Sequence, residues 1–479
     1  MDRSITAVLI GTFTLRFSTG LTGAMLVYFL ADIERYAGGN EPGVGWGFMV
    51  FLLTALFYVT ELVASPPFGL LSDRQGFHRV MQYGPVFGAV AVVITGLVPL
   101  LLTPQPDPLT VGSVLAVALT VIGLTRVLEG ASTAASIPSI LGYLAYATAD
   151  DEGLRGRVSA RFELATILGL GAGVGAAGVF WLLGPVAFFI NGAFYLGSLL
   201  IYRYGVAAPE QPVGPRHQPT YGWRRYYKLV RQSHVWLLAP TWIALNAAIG
   251  LYASQSIFAL VRTPNPRYND CVDPDAWYSC QLLAGGFDSL QVTLGLLVGG
   301  AVFVLGIFWW GDRFKSFRRT TIIFYGVFGG AALVAAALLV NHAVDIQRVF
   351  NIPQLVTMAA GLPIIGAGLF ILAGATPAAL GLLADISEAF PDDRGAIMGL
   401  YSVFLAIGHI VGSFIGGEAA DDFAFDGILI ATLILLGVAL APLFQLRGWE
   451  HRFEQAPGGP QPHVEPVEPV EPVANQGGS

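Results

Sequence analysis

Long apolar segments alternate with short polar ones along almost the whole chain of 479 residues. A helix needs about 20 mostly apolar residues to cross the hydrocarbon core of a bilayer, and twelve segments are long enough. Such runs are helical, because an open sheet edge leaves backbone groups without partners in lipid. We therefore predict an all-α polytopic membrane protein with twelve transmembrane helices. The predicted spans are residues 6–30, 46–71, 80–102, 111–145, 162–183, 186–202, 235–261, 290–310, 320–340, 354–384, 396–417 and 428–446.

Composition supports a membrane protein and excludes a soluble one. Hydrophobic residues make up 54% and charged residues 12% of the chain, whereas soluble domains carry about 25% charged residues. We expect the lipid bilayer to be its main partner, and we expect no nucleic-acid partner. No Cys/His cluster has the spacing of metal ligands and no nucleophile stands beside a base, so we predict neither a metal site, nor a cofactor, nor an enzyme.

The basic residues predict the orientation of the chain. Nineteen of the 25 Lys and Arg residues lie in connections on one side of the predicted bundle, four lie on the other side, and Arg16 and Arg126 lie inside spans. Basic connections stay in the cytoplasm, so we predict a multi-pass protein of the inner or plasma membrane with both termini cytoplasmic. Cys271 and Cys280 then share an outer loop, where we expect a disulfide; two incidental thiols are the alternative.

Polar segments divide the chain into four parts. We predict an N-terminal six-helix bundle over residues 1–203, a basic cytoplasmic linker over 204–232 and a C-terminal six-helix bundle over 233–454. The remaining residues, 455–479, are rich in Pro and have nothing to pack against, so we expect a disordered tail.

The two halves repeat each other at a shift of 239 residues. Basic residues are only 25 of 479, so several matches among them at one ungapped shift indicate a duplication. Glycines also match, at 169, 173 and 178 against 408, 412 and 417. We therefore predict two pseudo-symmetric bundles in parallel repeat. The matching charged residues are Asp73, Arg74, Arg79 and Arg155 in the first half and Asp312, Arg313, Arg318 and Arg394 in the second.

The connection between the second and third spans, residues 69–79, reads G-L-L-S-D-R-Q-G-F-H-R. It resembles the G-x-L-x-D-R-x-G-x-x-R loop of the major facilitator superfamily. Residues 126–130, R-V-L-E-G, are similar to the R-x-x-Q/E-G signature of that superfamily's fourth span. The resemblance covers nearly the whole chain and implies alternating access, in which two bundles rock about a central cavity. The predicted gating residues are Gly69, Asp73, Arg74, Gly76, Arg79, Asp312, Arg313 and Arg318.

The residues of this loop have a physical rationale of their own. Gly69 permits close helix contact, and Gly76 permits a turn with positive φ. Asp73 is placed to meet the positive N-terminus of span eleven near Arg394, a contact worth roughly 0.3 to 1 kcal/mol. We predict that this contact closes the cytoplasmic gate. The alternative is that these charges only obey the positive-inside rule.

Charges at span depth occur almost only in the first half. Each costs at least about 2.5 to 3.5 kcal/mol there, so we expect them to face a cavity or to pair with each other. Arg126 and Glu129 lie three residues apart on one helical face, close enough to pair. Gln255 is the repeat mate of Arg16, so we expect both to face the cavity. The cavity and coupling candidates are Arg16, Glu61, Arg126, Glu129, Gln255 and His409.

Two acids of this set, Glu61 and Glu129, are candidates for a proton-carrying carboxylate. Burial raises the pKa of a carboxyl group towards physiological pH in general, while a nearby arginine lowers it. Structural ion pairing is the competing explanation for both acids. His409 has a side chain able to titrate near neutrality, or it is a donor that holds helices together.

We predict a secondary active transporter of a small organic solute, with proton-coupled efflux favoured. The spans are rich in aromatic and aliphatic residues, which suit amphipathic solutes. Drug and proton antiporters of the superfamily carry G-P-x-x-G-G in span five, whereas residues 169–175 read G-L-G-A-G-V-G without proline. A nutrient symporter or a uniporter therefore stays open, as does a non-transporting receptor or scaffold on the same fold. We expect the protein to be a monomer. We also expect protons to be a partner, bound from and released to water during transport.

Overall fold

The computed structural model describes residues 3–37, 45–102, 108–148, 152–207, 235–263, 280–313, 316–388 and 394–454. These ranges hold nearly all the predicted spans. Most of the predicted linker and the whole predicted tail lie outside them, so the predicted division into four parts stays a prediction.

The described residues of the first half form seven helices. The short α3 and the longer α4 together form the third predicted span, and Gly76 joins α2 to α3 with a φ of 96°. The helices are α1 (Arg3–Tyr36), α2 (Trp46–Gln75), α3 (Phe77–Val80), α4 (Tyr83–Leu97), α5 (Pro108–Ala147), α6 (Glu152–Trp181) and α7 (Val186–Gly205).

The described residues of the second half form eight helices. A π-helical segment, Tyr252–Ser256, joins α8 to α9 within one span, and a break at Ala373 and Gly374 separates α13 from α14 within another. The helices are α8 (Val235–Leu251), α9 (Ile257–Val261), α10 (Ser289–Arg313), α11 (Arg319–Asn341), α12 (Ala343–Phe350), α13 (Gln354–Leu372), α14 (Ala375–Glu388) and α15 (Arg394–Glu454).

Within the ranges given above, eleven helical stretches are long and apolar enough to cross a membrane. One of them, Val403–Gly448, holds two spans, because α15 changes direction at Ala424, where φ is 52° and ψ is −134°. Gly427 lies so close to the backbone of Ala419 that a Cβ would collide with it. The last two predicted spans are therefore joined by a sharp turn at Ala424, and the residues on both sides of this turn are helical. The all-α fold with membrane-length helices is confirmed.

The two halves use the same helix packing. In the first half α1 packs against α6, and in the second α8 packs against α15. Glycines at repeat-related positions make both contacts possible: a Cβ on Gly173 would collide with the backbone of Phe17, and one on Gly412 with the backbone of Ala247. Small residues let helices approach closely in lipid. The glycine matches at a shift of 239 residues therefore mark equivalent helix contacts.

The halves meet through two equivalent helix pairs, α2 with α15 and α6 with α10. Gly178 of α6 lies against Ser289 and Thr293 of α10, while Gly417 of α15 lies against Gly47 of α2. Gly178 and Gly417 are again related by the shift of 239 residues. Following the predicted orientation, we call the end of the bundle that holds these two contacts the outer end, and the opposite end, where α2 ends, the inner end.

Candidate functional site

A buried ion pair lies at the centre of the first half. Nη1 of Arg126 donates a hydrogen bond to Oε2 of Glu129, and the two residues are 7% and 1% exposed. Nε of Arg126 also donates to the carbonyl of Leu53 at 3.4 Å, and its guanidinium lies 4.7 Å from the ring centroid of Phe57. This pair has the satisfied hydrogen bonds that a buried charge needs.

Glu61 and Arg16 form a looser pair on α2 and α1. Both are half-buried, and Arg16 interacts electrostatically with Glu61. In the part of the chain that the structure describes, Glu61 makes no ion pair within 4.0 Å, and Nε of Arg16 is buried without a hydrogen-bond partner. Glu61 is therefore the acid whose carboxylate has no strong partner, whereas Glu129 balances Arg126.

Tyrosines and threonines surround these charges. The hydroxyl of Tyr195 lies 3.5 Å from Oγ1 of Thr19, and Tyr58 interacts electrostatically with Glu61. The ring of Tyr58 also contacts the imidazole of His409, with 4.9 Å between centroids. Tyr58 belongs to the first half and His409 to the second, so this contact joins the halves at the level of Glu61.

The polar residues of the second half have other partners. Nδ1 of His409 donates to the carbonyl of Leu405, four residues earlier on the same helix, at 3.0 Å, so both interpretations of this residue stay open. Nε2 of Gln255 donates to the carbonyls of Gly47 and Ser413 at 3.1 and 3.3 Å, and the residue is 0% exposed. Gln255 therefore lies within the contact between the halves, and the expectation that it faces the cavity stays a prediction. Gln255 lies in the π-helical segment Tyr252–Ser256 and contacts the outer end of α2.

The predicted gating loop lies at the inner end of α2. Gly76 has the positive φ that the turn requires, Gly69 lies next to Pro138, and Arg74 and Arg79 are exposed. In the second copy, Arg313 covers the ring of Trp309 at 4.7 Å, and Arg318 precedes α11. The side chains of Asp73 and Asp312 lie outside the described residues, so the gate contact of Asp73 stays a prediction.

Only one of the two cysteines predicted to form a disulfide lies within the described residues. Cys280 is buried and disulfide-bonded. Cys271 lies outside the described residues, so its pairing with Cys280 stays a prediction.

Sequence reasoning missed a network of charges that joins the halves at the outer end. Nη2 of Arg262, at the end of α9, lies 3.1 Å from Oε1 of Glu34 in α1, and its Nη1 lies 3.5 Å from Oδ1 of Asp421 in α15. Asp421 also accepts hydrogen bonds from the backbone N–H groups of Gly47 and Phe48, at 2.9 and 3.2 Å. From sequence alone, a charged residue at the end of a span is expected to be solvated. Glu34 is nevertheless 0% exposed in the structure.

A second outer network lies wholly in the second half. Nε2 of His342 lies 2.7 Å from Asp426, and Nδ1 lies 2.9 Å from Asp345. The hydrogen bond to Asp426 is the largest cause that raises the pKa of His342 to about 9, and partial burial acts against it. Nδ2 of Asn341 donates to Asp426 at 2.8 Å. The imidazolium therefore ties α12 to the turn at Ala424.

The sequence and the fold are similar to those of known proteins. The sequence profile of the Major Facilitator Superfamily matches residues 8–373, about three quarters of the chain. The chain belongs to the Major Facilitator Superfamily. This confirms the resemblance that the loop at residues 69–79 indicated. As a member of this superfamily, the chain is a multi-pass membrane transporter for a small solute.

Individual superfamily members are similar over most of their length. "Multidrug resistance protein 1" from Bacillus subtilis (strain 168) is 25% identical over 407 residues, which are 83% of this chain and 86% of that protein. Two solved structures share the fold with a TM-score of 0.60. A point mutant of the nucleoside transporter NupG is 12% identical over 92% of this chain and 99% of that one. A D-xylose-proton symporter is 14% identical over 92% of this chain and 96% of that one.

Proposed function

We propose that this superfamily member exports a small amphipathic organic solute in exchange for protons, with Glu61 as the proton-carrying carboxylate. The observation that carries the proposal is the different pairing of the two buried acids. Glu129 is held by Arg126, whereas Glu61 is half-buried beside Arg16 without an ion pair among the described residues. A carboxylate that binds and releases a proton during the transport cycle must not be held in a strong salt bridge.

Export is the direction that the comparison with the Bacillus subtilis protein favours, since that relative is named a multidrug resistance protein. An aromatic neighbour of Glu61 agrees with an amphipathic solute: Tyr58 lies three residues earlier on the same helix and interacts electrostatically with Glu61. Aromatic faces bind apolar and cationic groups without a fixed hydrogen-bond pattern.

The described contacts between the halves support an inward-facing state for this transporter. They extend from the outer end, where Asp421 meets α2, to the level of Tyr58 and His409. We infer that the protein works as a monomer in the cell membrane with both termini cytoplasmic.

Proton-coupled import is the second candidate. Residues 169–175 lack the proline that drug and proton antiporters of the superfamily carry in span five. An importer that moves solute and protons in the same direction would use the same acid, because Glu61 lies beside the same cavity-facing residues in either case.

Transport in proteoliposomes with an imposed pH gradient tests the proposal. An antiporter accumulates solute in the acidic compartment, because protons leave that compartment as solute enters. A symporter accumulates solute in the alkaline compartment, and a uniporter accumulates none. This readout does not depend on how the protein is oriented in the vesicle. Protein-free vesicles control for weak bases that concentrate in acidic compartments without a carrier. Accumulation on the alkaline side would refute export by antiport.

A further inference from the structure

The N-terminus of α2 is capped by the other half of the protein. Gly47 and Phe48 are the second and third residues of α2, where backbone N–H groups have no partner within the helix. The residue before the helix, Gly45, has no side chain to cap them. Both groups instead donate to the carboxylate of Asp421 in α15, one to each oxygen. A negative charge at this place also meets the positive end of the helix dipole.

Arg262 extends this contact to a second helix of the first half. It lies between Asp421 and Glu34, and it is 12% exposed along its side chain. In addition, Arg35 donates to the carbonyl of Val261 at 3.2 Å. We call Glu34, Arg262 and Asp421 the outer latch. In the ion pair, Arg262 of the second half contacts Glu34 of the first half. In the cap, Asp421 of the second half binds the N-terminus of α2 in the first half. The halves cannot separate at this end without breaking both contacts.

The outer latch has a counterpart at the inner end of the same two helices. Phe51 of α2 contacts Phe414 of α15, and Tyr58 contacts His409, so the two helices run antiparallel. Continuing this register by about 15 residues along each helix, at 1.5 Å per residue, places position 73 level with position 394. Each of the two spans therefore ends in an aspartate at the level where the other span begins.

We propose that Asp421 and Arg262 are the gate-forming residues of the outer end, and that they alternate with Asp73 at the inner end. This assignment deepens the transport function proposed above and depends on it. In the outward-closed state Asp421 caps α2. In the opposite state Asp73 caps α15. Rigid bundles that rock about a central cavity open one end as they close the other, so only one cap forms at a time.

Asp421→Asn tests the outer latch with almost no change in shape. The amide nitrogen of asparagine cannot accept a hydrogen bond, so one N–H of α2 loses its partner and the charge attraction to Arg262 disappears. Glu418→Gln is the matched control, because Glu418 is exposed, lies one turn earlier on the same helix and makes none of the latch contacts. The measurement is hydrogen–deuterium exchange of the full chain in lipid nanodiscs without solute.

The informative peptides lie away from the latch, around Gly178 of α6 and Thr293 of α10, where the halves also meet at the outer end. Asp421→Asn should raise exchange there about tenfold, the upper range for loss of a charge at a helix terminus. Glu418→Gln should leave it unchanged. Asp73→Asn should lower it, because that variant loses the opposite gate.

Two results would overturn the assignment. In the first, Asp421→Asn exchanges faster only at the first turn of α2 and matches Glu418→Gln around Gly178, which makes the cap a local structural feature. In the second, Asp421→Asn and Asp73→Asn shift exchange in the same direction. If Asp421→Asn fails to fold, Arg262→Gln takes its place: a smaller shift in the same direction supports the latch, and no shift refutes it. Exchange is measured without solute and therefore tests the latch by itself, whereas an absence of proton-coupled transport by the wild type in proteoliposomes would refute the proposed coupling.

Discussion

The two halves share a fold but differ in the chemistry of their cores. The first half buries Arg126 and Glu129 as a pair and keeps Arg16 and Glu61 half-buried. At comparable depth the described spans of the second half have neutral amides and His409. Glycine contacts repeat in both halves, because close helix packing requires small residues, whereas the buried charges do not repeat. The comparison teaches that the duplicated frame repeats helix packing, whereas the buried charges on which the proposed coupling depends lie in one half.

The largest effect is expected from Glu129→Gln. This change leaves the guanidinium of Arg126 buried without its counter-charge, which should lower the free energy of unfolding by about 3 to 5 kcal/mol. Denaturant unfolding in detergent measures the loss. The double variant Arg126→Met with Glu129→Met should recover most of it, because it removes both charges at similar volume. If Glu129→Gln were as stable as the wild type, the pair would not be structural.

Glu61→Gln should separate coupling from stability. The neutral amide imitates the protonated carboxyl, and no ion pair of Glu61 is lost among the described residues, so stability should change by less than about 1 kcal/mol. Accumulation driven by a pH gradient should fall more than about tenfold, while binding of the solute persists. Glu61→Asp retains an acid and should keep part of the coupling. A Glu61→Gln protein with full coupling would place the proton elsewhere.

The sequence predicted the frame of the molecule well because bilayer thickness and hydrogen-bond satisfaction leave few choices. Span positions, the pairing of Arg126 with Glu129 and the turn at Gly76 all follow from local rules. The turn at Ala424 was not predictable in this way, since an alanine with positive φ is held by its surroundings and not by its own preference.

The outer latch escaped prediction for a different reason. Glu34, Arg262 and Asp421 lie at the ends of three spans that are far apart in sequence, and each looks like an ordinary solvated residue. Only the packing of α1, α2, α9 and α15 brings them together. The hydrogen bonds of Gln255 to Gly47 and Ser413 escaped prediction for the same reason, because they join helices that are distant in sequence.

The second half does carry a titrating group, but at the outer surface and not at the core. The pKa of His342 is about 9 in the fold, above its ordinary value of about 6.5. Its contribution to stability is therefore complete below about pH 6.5 and is lost as the pH rises through about 9. Solvent screening reduces the gain of this partly exposed group, so we expect the free energy of unfolding to fall by about 1 to 2 kcal/mol between neutral pH and pH of about 10.

His342→Gln is the control for this pH dependence. The variant should be less stable than the wild type at neutral pH and should lack the alkaline decrease, while its transport and its dependence on the pH gradient stay normal. Parallel unfolding curves of the two proteins would show that other groups cause the decrease.

The smallest effect is expected from His409→Gln. This variant tests whether a titratable residue of the second half takes part in coupling. Nδ1 of His409 already donates to the carbonyl of Leu405, and a glutamine amide can donate at the same place. The variant loses the ring contact with Tyr58, so we expect a stability loss of less than about 1 kcal/mol. Under the proposed coupling through Glu61, the pH profile of transport between about pH 5.5 and 8.5 should keep its midpoint in this variant. A shift of that midpoint by about one unit in His409→Gln, with Glu61→Gln unaffected, would move the coupling chemistry into the second half and reverse the comparison.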